Sequence, residues 1–486
     1  MAPQIKAGPG LKSKIRKVLL ISPPGKLAIM KEGSRERKLA VPPLGLAYMA
    51  SNLLKHGLDV EVLDTLIEGF DRNTPHDDNS VTYGLENGEI KRRIGESNPD
   101  LIGISCMISN RSREALAICK VAKEMAPEAH VVLGGQHFSG MPESLLSSGA
   151  DYILKGEADN SLVRLIDAVN TCGNQAEIPG IVLKDGSKIF QNTLYDFPDV
   201  TSLPDPVWRL FPLEKYWDAG MCDYEINETG RKKFMIVITS RGCPHNCDFC
   251  TSPFISGRKY RQRNIEDVVR EVRLYKELYA IDRIYFWDDN FFVNKNRTKK
   301  LLEELIRNFS DITFEVTSGS EVNSLDDETI GLLAKAGFKK LFLAVESPNE
   351  DIQAGMIDKK VNITRVPSLV KKIREAGMIA EGSFMVGFPG ETKKQVDRTF
   401  ELVKTFNFDR ISISIVNPLP GTRLYKYCVA NGLLYEDFDP CNIRWSVENI
   451  KLPDVARGYI AKRRREVWLE YMKDRIDIAK YEMEKV

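Results

Sequence analysis

The chain predicts an α/β protein in two parts, a doubly wound parallel sheet followed by a partial (β/α)6 barrel, with a helical region at the C-terminal end. Three observations predict it. Short apolar runs alternate with segments of helical period from Lys17 to Val169, the pattern of parallel strands joined by crossover helices. The same alternation resumes at Phe234 and runs to Val416. Between them, Tyr195 to Lys233 breaks the rhythm with Pro198, Pro204, Pro206 and Pro212, which exclude a regular helix or central strand. At 486 residues the chain exceeds a single core. The expected boundaries are a flexible tail over 1–15, a first domain over 16–195, a connecting segment over 196–233, a second domain over 234–427 and a helical region over 428–486.

In the first domain, strands are expected at Lys17–Ser22, Val60–Asp64, Leu101–Ser105, His130–Gly135 and Tyr152–Glu157. Helices are expected at Leu44–Lys55, around Arg113–Met125 and through Leu162–Val169. Such a Rossmann-like sheet binds ligands at the carboxyl ends of its strands, here near Ser22, Ser105, Gly134 and Gly156. No turn carries G-x-G-x-x-G or a P-loop, so dinucleotide and ATP readings have no motif behind them. In the connecting segment, Trp208, Phe211, Tyr216 and Trp217 are expected to anchor the chain by packing, and Cys222 to be a buried thiol.

The second domain offers strands at Phe234–Thr239, Arg283–Trp287, Thr313–Thr317, Lys340–Val345, Ala380–Val386 and Arg410–Val416. Asn264 is placed to cap a helix whose apolar residues, Ile265, Val268, Val269, Val272, Tyr275 and Tyr279, recur at helical spacing. Further helices are expected at Thr298–Asn308, Asp326–Ala336, Thr364–Ala376 and Lys393–Phe406. Six strands with right-handed crossovers curl into an open barrel, and the tail supplies no further units for a full one. Past Pro440 and Pro453, a long helix is expected from about Val455 to the end, with Arg463 to Arg465 on a solvated face.

Composition excludes several classes. With 43% hydrophobic and 28% charged residues and a formal charge of +1, nothing calls for a nucleic-acid partner. No apolar run reaches the length of a membrane span, and Met1 to Lys17 lacks the apolar core of a signal peptide. Nine cysteines, three of them clustered, suit a reducing cytoplasm.

The chemistry concentrates at Cys243, Cys247 and Cys250, where Gly242 and Pro244 bend a loop that follows a buried strand. Thiolates so spaced suit a soft metal or an iron–sulfur cluster, and three of them leave one position open. A zinc knuckle with its fourth ligand elsewhere, His245 being inside the loop, is the competing reading. The C-x3-C-x2-C spacing, with Phe249 before the last cysteine, resembles the radical S-adenosylmethionine (SAM) enzymes. That resemblance covers about Met235 to Tyr427 and implies a [4Fe–4S] cluster whose open iron binds SAM. It implies SAM contacts at Phe249 and at strand ends: Asp288 and Asp289 for the amino group, Glu346 and Ser347 for the ribose, and Gly387, Glu391 and Asn417 near methionine and adenine. Each carboxylate also has an ordinary reading, since Asp288 and Asp289 could cap a loop or pair with Arg283 or Arg297.

Residues 42–48 (PPLGLAY), 103–106 (GISC), 134–137 (GGQH) and 156–157 (GE) resemble the cobalamin-binding domain found ahead of many radical SAM cores. By that resemblance Ser22, Ser105, Met107, Ser109, Gly134, Gly135, Gln136, Gly156 and Glu157 would face cobalamin, while Cys106 and His137 are read as packing or hydrogen-bonding residues. The D-x-H-x-x-G motif that ligates cobalt from below is missing. Residues 64–69 keep its ends but put Leu66 where histidine belongs, after the wrong strand. The implied activity is a cobalamin-dependent C-methyltransferase: SAM is cleaved to a 5′-deoxyadenosyl radical that abstracts a substrate hydrogen, and methylcobalamin then delivers the methyl. Cyclisation, dehydration or carbon–carbon coupling without methyl transfer is the alternative within the family; a non-enzymatic metal- or cluster-binding module is the alternative outside it. Expected partners are SAM, an organic or protein substrate, and a one-electron donor such as flavodoxin or ferredoxin.

Overall fold

The computed structural model describes residues 10–28, 38–76, 80–220 and 233–473. Cys222 and residues 474–486, the last part of the expected C-terminal helix, lie outside them. The chain divides into two compact units, Met1–Tyr224 with Pro440–Asn442 and Glu482–Val486, and Glu225–Asp439 with Ile443–Tyr481.

In the first unit the five expected parallel strands form: β1 (Lys17–Ser22), β2 (Asp59–Asp64), β3 (Leu101–Ser105), β4 (His130–Gly134) and β5 (Tyr152–Leu154). They lie in the order β2-β1-β3-β4-β5. β1 therefore has β2 on one side and β3 on the other, and the crevice at its carboxyl end is the switch point where such sheets bind ligands. Their apolar runs are buried from both faces by helices, so they read as continuous rather than alternating. β4 and β5 end earlier than expected because Gly135 (φ +88°) and Gly156 (φ +73°) turn the chain out of the sheet.

Two features went unread in the sequence. An antiparallel hairpin, β6 (Ile181–Asp185) and β7 (Lys188–Gln191), extends the sheet beyond β5. Gly186, at φ +62°, takes the first central position of its two-residue turn. A small antiparallel sheet also joins Gly25–Ala28, Ser80–Tyr83 and Asn73–His76, with Pro75 on its edge strand.

The connecting segment does contain one short helix, Leu213–Ala219, against expectation, because it begins past the last proline of the run, Pro212. The segment is fastened to the first unit. Trp208 and Tyr216 are fully buried, Val207 N–H donates to Ala47 O at 3.2 Å, and Ser51 Oγ donates to Asp205 O at 2.7 Å. Tyr216 donates its hydroxyl to the buried carboxylate of Asp64.

The second unit contains the six expected parallel strands: β8 (Phe234–Val237), β9 (Arg283–Phe286), β10 (Thr313–Val316), β11 (Lys340–Glu346), β12 (Ile379–Val386) and β13 (Arg410–Ile415). They form two sheets, β8-β9-β10 and β11-β12-β13, with Ser320–Glu321 paired to β11. A parallel bridge between Phe314 and Phe338 links the two sheets. Phe286, Phe314 and Phe338 stack in the core beneath it, with ring centroids 5.8 to 6.3 Å apart. Asn264 does stand at the N-terminus of its helix, but its side chain caps no backbone amide and instead donates to Asp267 at 3.1 Å. The C-terminal helix starts at Tyr459, later than expected. Arg464 is not solvated there: its Nε donates to Ile413 O of β13.

Candidate active site

The cysteine loop leaves the carboxyl end of β8 and is gripped at its root. Ser240–Arg241 pairs antiparallel with Arg261–Gln262, closing the loop like a clasp. Gly242 sits at φ +85°, and a Cβ there would meet Lys259 O at 2.4 Å, so only glycine lets the two backbones approach. Cys243 and Cys247 are buried and Cys250 is half-buried. Burial raises all three thiols, Cys250 to about 12, so taking up a metal there means losing protons.

Asp288 and Asp289, just past β9, hold this loop. Asp288 accepts from Thr239 N–H (3.0 Å), the Thr239 hydroxyl (2.8 Å) and the Ser240 hydroxyl. Asp289 accepts from Gly242 N–H (2.8 Å) and the Ser252 hydroxyl (2.6 Å). Arg297 braces the same turn, donating to the Thr239 carbonyl and hydroxyl and to Arg263 O. Burial raises Asp288 even against these donors. Both carboxylates thus hold the loop, Asp288 buried within it and Asp289 exposed at its edge. Arg283, the other suggested partner, pairs with Glu315 at 3.2 Å.

The other strand ends converge on the same loop. Cys247 belongs to one apolar cluster with Met385 and Phe388 from the end of β12, Val416 from the end of β13, and Ile352 and Ile357 from beyond β11. Phe249 meets Phe388 edge-on at 5.9 Å. Glu346 ends β11 at φ +61°, next to an irregularity in the strand register. A non-glycine residue held in that region marks strain retained for a purpose. It accepts from Lys359 Nζ at 3.1 Å. Ser347 is buried, and its hydroxyl accepts from Asn349 N–H.

Two expected contacts are turned inward. Glu391 accepts from the amides of Gly387 (2.6 Å) and Phe388 (3.1 Å), folding its own turn around a carboxylate that burial raises to about 7. Gly387 makes that turn possible at φ +92°. Asn417 donates to Ile415 O and Arg444 O and accepts from Asn449, tying the end of β13 to the tail. Side-chain burial of this kind has no signature in a motif. Two residues not singled out in the sequence also belong to the site. Asn290 Nδ2 lies 3.9 Å from Cys243 Sγ, and Lys359 is described below.

The donor set fits a cluster and does not fit the zinc knuckle. His245 uses both ring nitrogens, Nδ1 to Asp358 O (2.7 Å) and Nε2 to Glu321 (3.1 Å), and the Glu321 bond raises its pKa above the usual value. With both ring nitrogens bonded to protein partners, a metal would have to displace one of them. Among the described residues no three His, Cys, Asp or Glu side chains gather around a single ion. A cluster instead takes one thiolate per iron.

At the carboxyl ends of the first sheet, Met107 and Ile108 are 53% and 50% exposed, an apolar edge that a flat ligand would cover. Beside it Gly135 turns against the Cys106 backbone, where a Cβ would meet Cys106 O at 2.5 Å. Ser109 is buried with its hydroxyl unpartnered, while Ser105, Gly134, Gln136, Gly156 and Glu157 are partly exposed on the same rim. Ser22 Oγ accepts from Arg111 at 3.4 Å. Cys106 is fully buried and its thiol donates to Ile108 O, and His137 packs edge-on against Phe138 at 5.1 Å. Leu66 is core and Asp64 is taken by Tyr216, so that segment presents no lower ligand.

Residues 237–403 match the Radical SAM superfamily and residues 34–166 match the B12 binding domain. The chain belongs to the cobalamin-dependent radical SAM enzymes. The matched domains are one that uses SAM and one that takes cobalamin. This radical SAM enzyme is 29% identical to an uncharacterized methyltransferase of Pyrococcus horikoshii, over 94% of this chain and 93% of that one. It is 27% identical to the cytidylyl-2-hydroxyethylphosphonate methyltransferase of Streptomyces wedmorensis, over 87% and 83%. Anaerobic magnesium-protoporphyrin IX monomethyl ester cyclases also occur among its relatives. It shares the fold of the radical SAM methyltransferase TsrM from Kitasatospora setae, solved with cobalamin and a [4Fe–4S] cluster (TM-score 0.69, 20% identity, 93% of this chain and 85% of that one). No helix among the described residues is long and apolar enough to cross a membrane.

Proposed function

We propose that the chain is a C-methyltransferase that acts on an unactivated carbon, with Cys243, Cys247 and Cys250 holding the cluster. One observation carries this reading. The thiol loop is clamped at the end of β8 by the two aspartates that follow β9, and the ends of β11, β12 and β13 converge on it. When bound, the cluster supplies the electron that cleaves SAM and cobalamin supplies the methyl group. The chain's own part is to bind and orient. Asp288, Asp289 and Arg297 fix the loop, Asn290 points an amide toward Cys243, and Phe249, Met385 and Phe388 exclude water beside it. Asp288 and Asp289 stand at the end of β9, where the SAM amino group would lie, Asp289 exposed there and Asp288 buried behind it. Glu346 and Ser347 sit where the ribose would lie, and the turn from Gly387 borders the methionine and adenine. The rim from Ser105 to Ser109 and Gly134 to Gly135, with Ser22, Gln136, Gly156 and Glu157, would face cobalamin. We place the enzyme in the cytoplasm with a one-electron donor such as flavodoxin or ferredoxin; no feature selects its substrate among organic molecules or protein side chains.

The test is anaerobic reconstitution with iron, sulfide and cobalamin, followed by incubation with SAM and a reductant. Both 5′-deoxyadenosine and S-adenosylhomocysteine are expected, and no bound corrin under ample cobalamin would overturn the methyltransferase reading. 5′-Deoxyadenosine alone would favour the ring-closing chemistry named for the cyclase relatives.

A further inference from the structure

Behind the cysteine loop runs the segment Ile357–Lys360, reached after the short helix Glu350–Met356. It is fastened to the loop by three bonds: His245 Nδ1 to Asp358 O (2.7 Å), Asn246 N–H to the Asp358 carboxylate (2.8 Å), and Asp248 N–H to Met356 O (3.1 Å). From the other side Asn323 donates to Lys360 O at 2.9 Å. Held between these anchors, the Lys359 side chain is only 16% exposed and donates to Glu346, itself 8% exposed, at 3.1 Å. An ammonium is costly to desolvate unless a specific negative charge faces it, and the Glu346 carboxylate supplies that charge to the buried Lys359. The loop that carries the thiols is bonded to the same segment through Asp358, and Ile357 packs in one cluster with Cys247 and Cys250.

We propose that Lys359 is a positioning residue whose fixed positive charge, balanced by Glu346, sets the reduction potential of the cluster held by Cys243, Cys247 and Cys250. The physical reason is Coulombic. A thiolate-bound cluster becomes one charge more negative on accepting an electron from an external donor, with no bond made or broken. In a site of low dielectric a neighbouring cation favours the reduced form and a neighbouring anion opposes it. The strained backbone of Glu346 follows from the same arrangement, since φ +61° at the end of β11 turns the carboxylate toward Lys359 instead of continuing the strand.

The inference rests on the cluster assignment above, and the two fail differently. The experiment is a dithionite titration of the anaerobically reconstituted full chain without SAM, followed by electron paramagnetic resonance, with iron counted per chain. Lys359→Met is expected to lower the midpoint, making the ratio of reduced to oxidised clusters about tenfold smaller at the wild-type midpoint, which is about 59 mV for one electron. Glu346→Gln is expected to shift it in the opposite direction, because the lysine is then unopposed, and Lys359→Arg to restore the wild-type value. A merely structural pair would give no shift, or shifts of one sign, and either result at wild-type iron content overturns the proposal. If Lys359→Met cannot hold iron, Glu346→Gln decides alone: an upward shift supports the proposal and none overturns it. Wild-type iron content in Cys247→Ala would overturn the ligand assignment itself, whatever the potentials.

Discussion

Replacing Asp288 by alanine separates a clamp from a SAM ligand. The carboxylate is 3% exposed and accepts from Thr239 N–H, the Thr239 hydroxyl and the Ser240 hydroxyl, with Arg297 bonded to the same threonine. Its removal leaves those donors without an acceptor and the Arg297 charge without its counter-charge. Breaking a buried charged network in this way costs about 3–5 kcal/mol. For a unit of roughly 250 residues, that lowers the melting temperature by about 10 °C. Calorimetry of the second unit's transition, without SAM, is the assay, with iron content measured alongside. Asp288→Asn is expected to lie between wild type and alanine, since its oxygen still accepts while its amide faces donors. Were Asp288→Ala to melt within about 2 °C of wild type, keep its iron and lose only SAM affinity, the clamp would be wrong and the carboxylate would be a ligand of the SAM amino group.

Three further outcomes are expected. Gly242→Ala brings a Cβ to 2.4 Å from Lys259 O at a φ of +85°, so the reconstituted protein should hold less than half the wild-type iron. His245→Ala should keep full iron content, because the imidazole is committed to Asp358 and Glu321, and should cost about 1–3 kcal/mol in denaturant midpoint analysis. Asp64, raised by burial to about 6 despite the Tyr216 hydrogen bond, binds its proton more tightly folded than unfolded, where its pKa is about 3.9. Its contribution is therefore full below pH ~4, falls as pH rises through ~6 and is flat above, a loss of about 3 kcal/mol that Asp64→Asn should remove from urea titrations at pH 4 and 7.

The repeating strands of both units could be read in advance because continuous apolar runs and crossover helices repeat with one rhythm. The cysteine loop was equally plain, since ligand spacing is a property of consecutive residues. What the chain did not announce depends on which polar groups become buried. Asp288, Asp289, Glu391 and Asn417 stand at the expected strand ends, but only packing shows that their side chains turn back into the loops they support. Lys359 comes behind the cysteine loop only through the tertiary bonds of its neighbour Asp358, 109 positions after Cys250. The β6–β7 hairpin is a different case: Gly186-Ser187 between the apolar runs 181–183 and 189–190 was a turn signal in plain view, masked by the expectation that every strand would be parallel. The small sheet carried no such signal, for Asn73–His76 is exposed along its length.

The fastening of the connecting segment has a practical side for anyone who wishes to study the first unit in isolation. A fragment cut at residue 195, where the strand-and-helix rhythm stops, would discard Trp208 and Tyr216 from the interior. It would strip Asp64 of its hydroxyl partner, and it would remove Arg209 and Leu210, which wall a cleft along the outermost strand, β2. That strand would then offer a bare row of backbone groups to any passing chain, the usual beginning of aggregation. Extending the fragment through Ala219, the last residue of the helix that carries Tyr216, keeps the edge dressed.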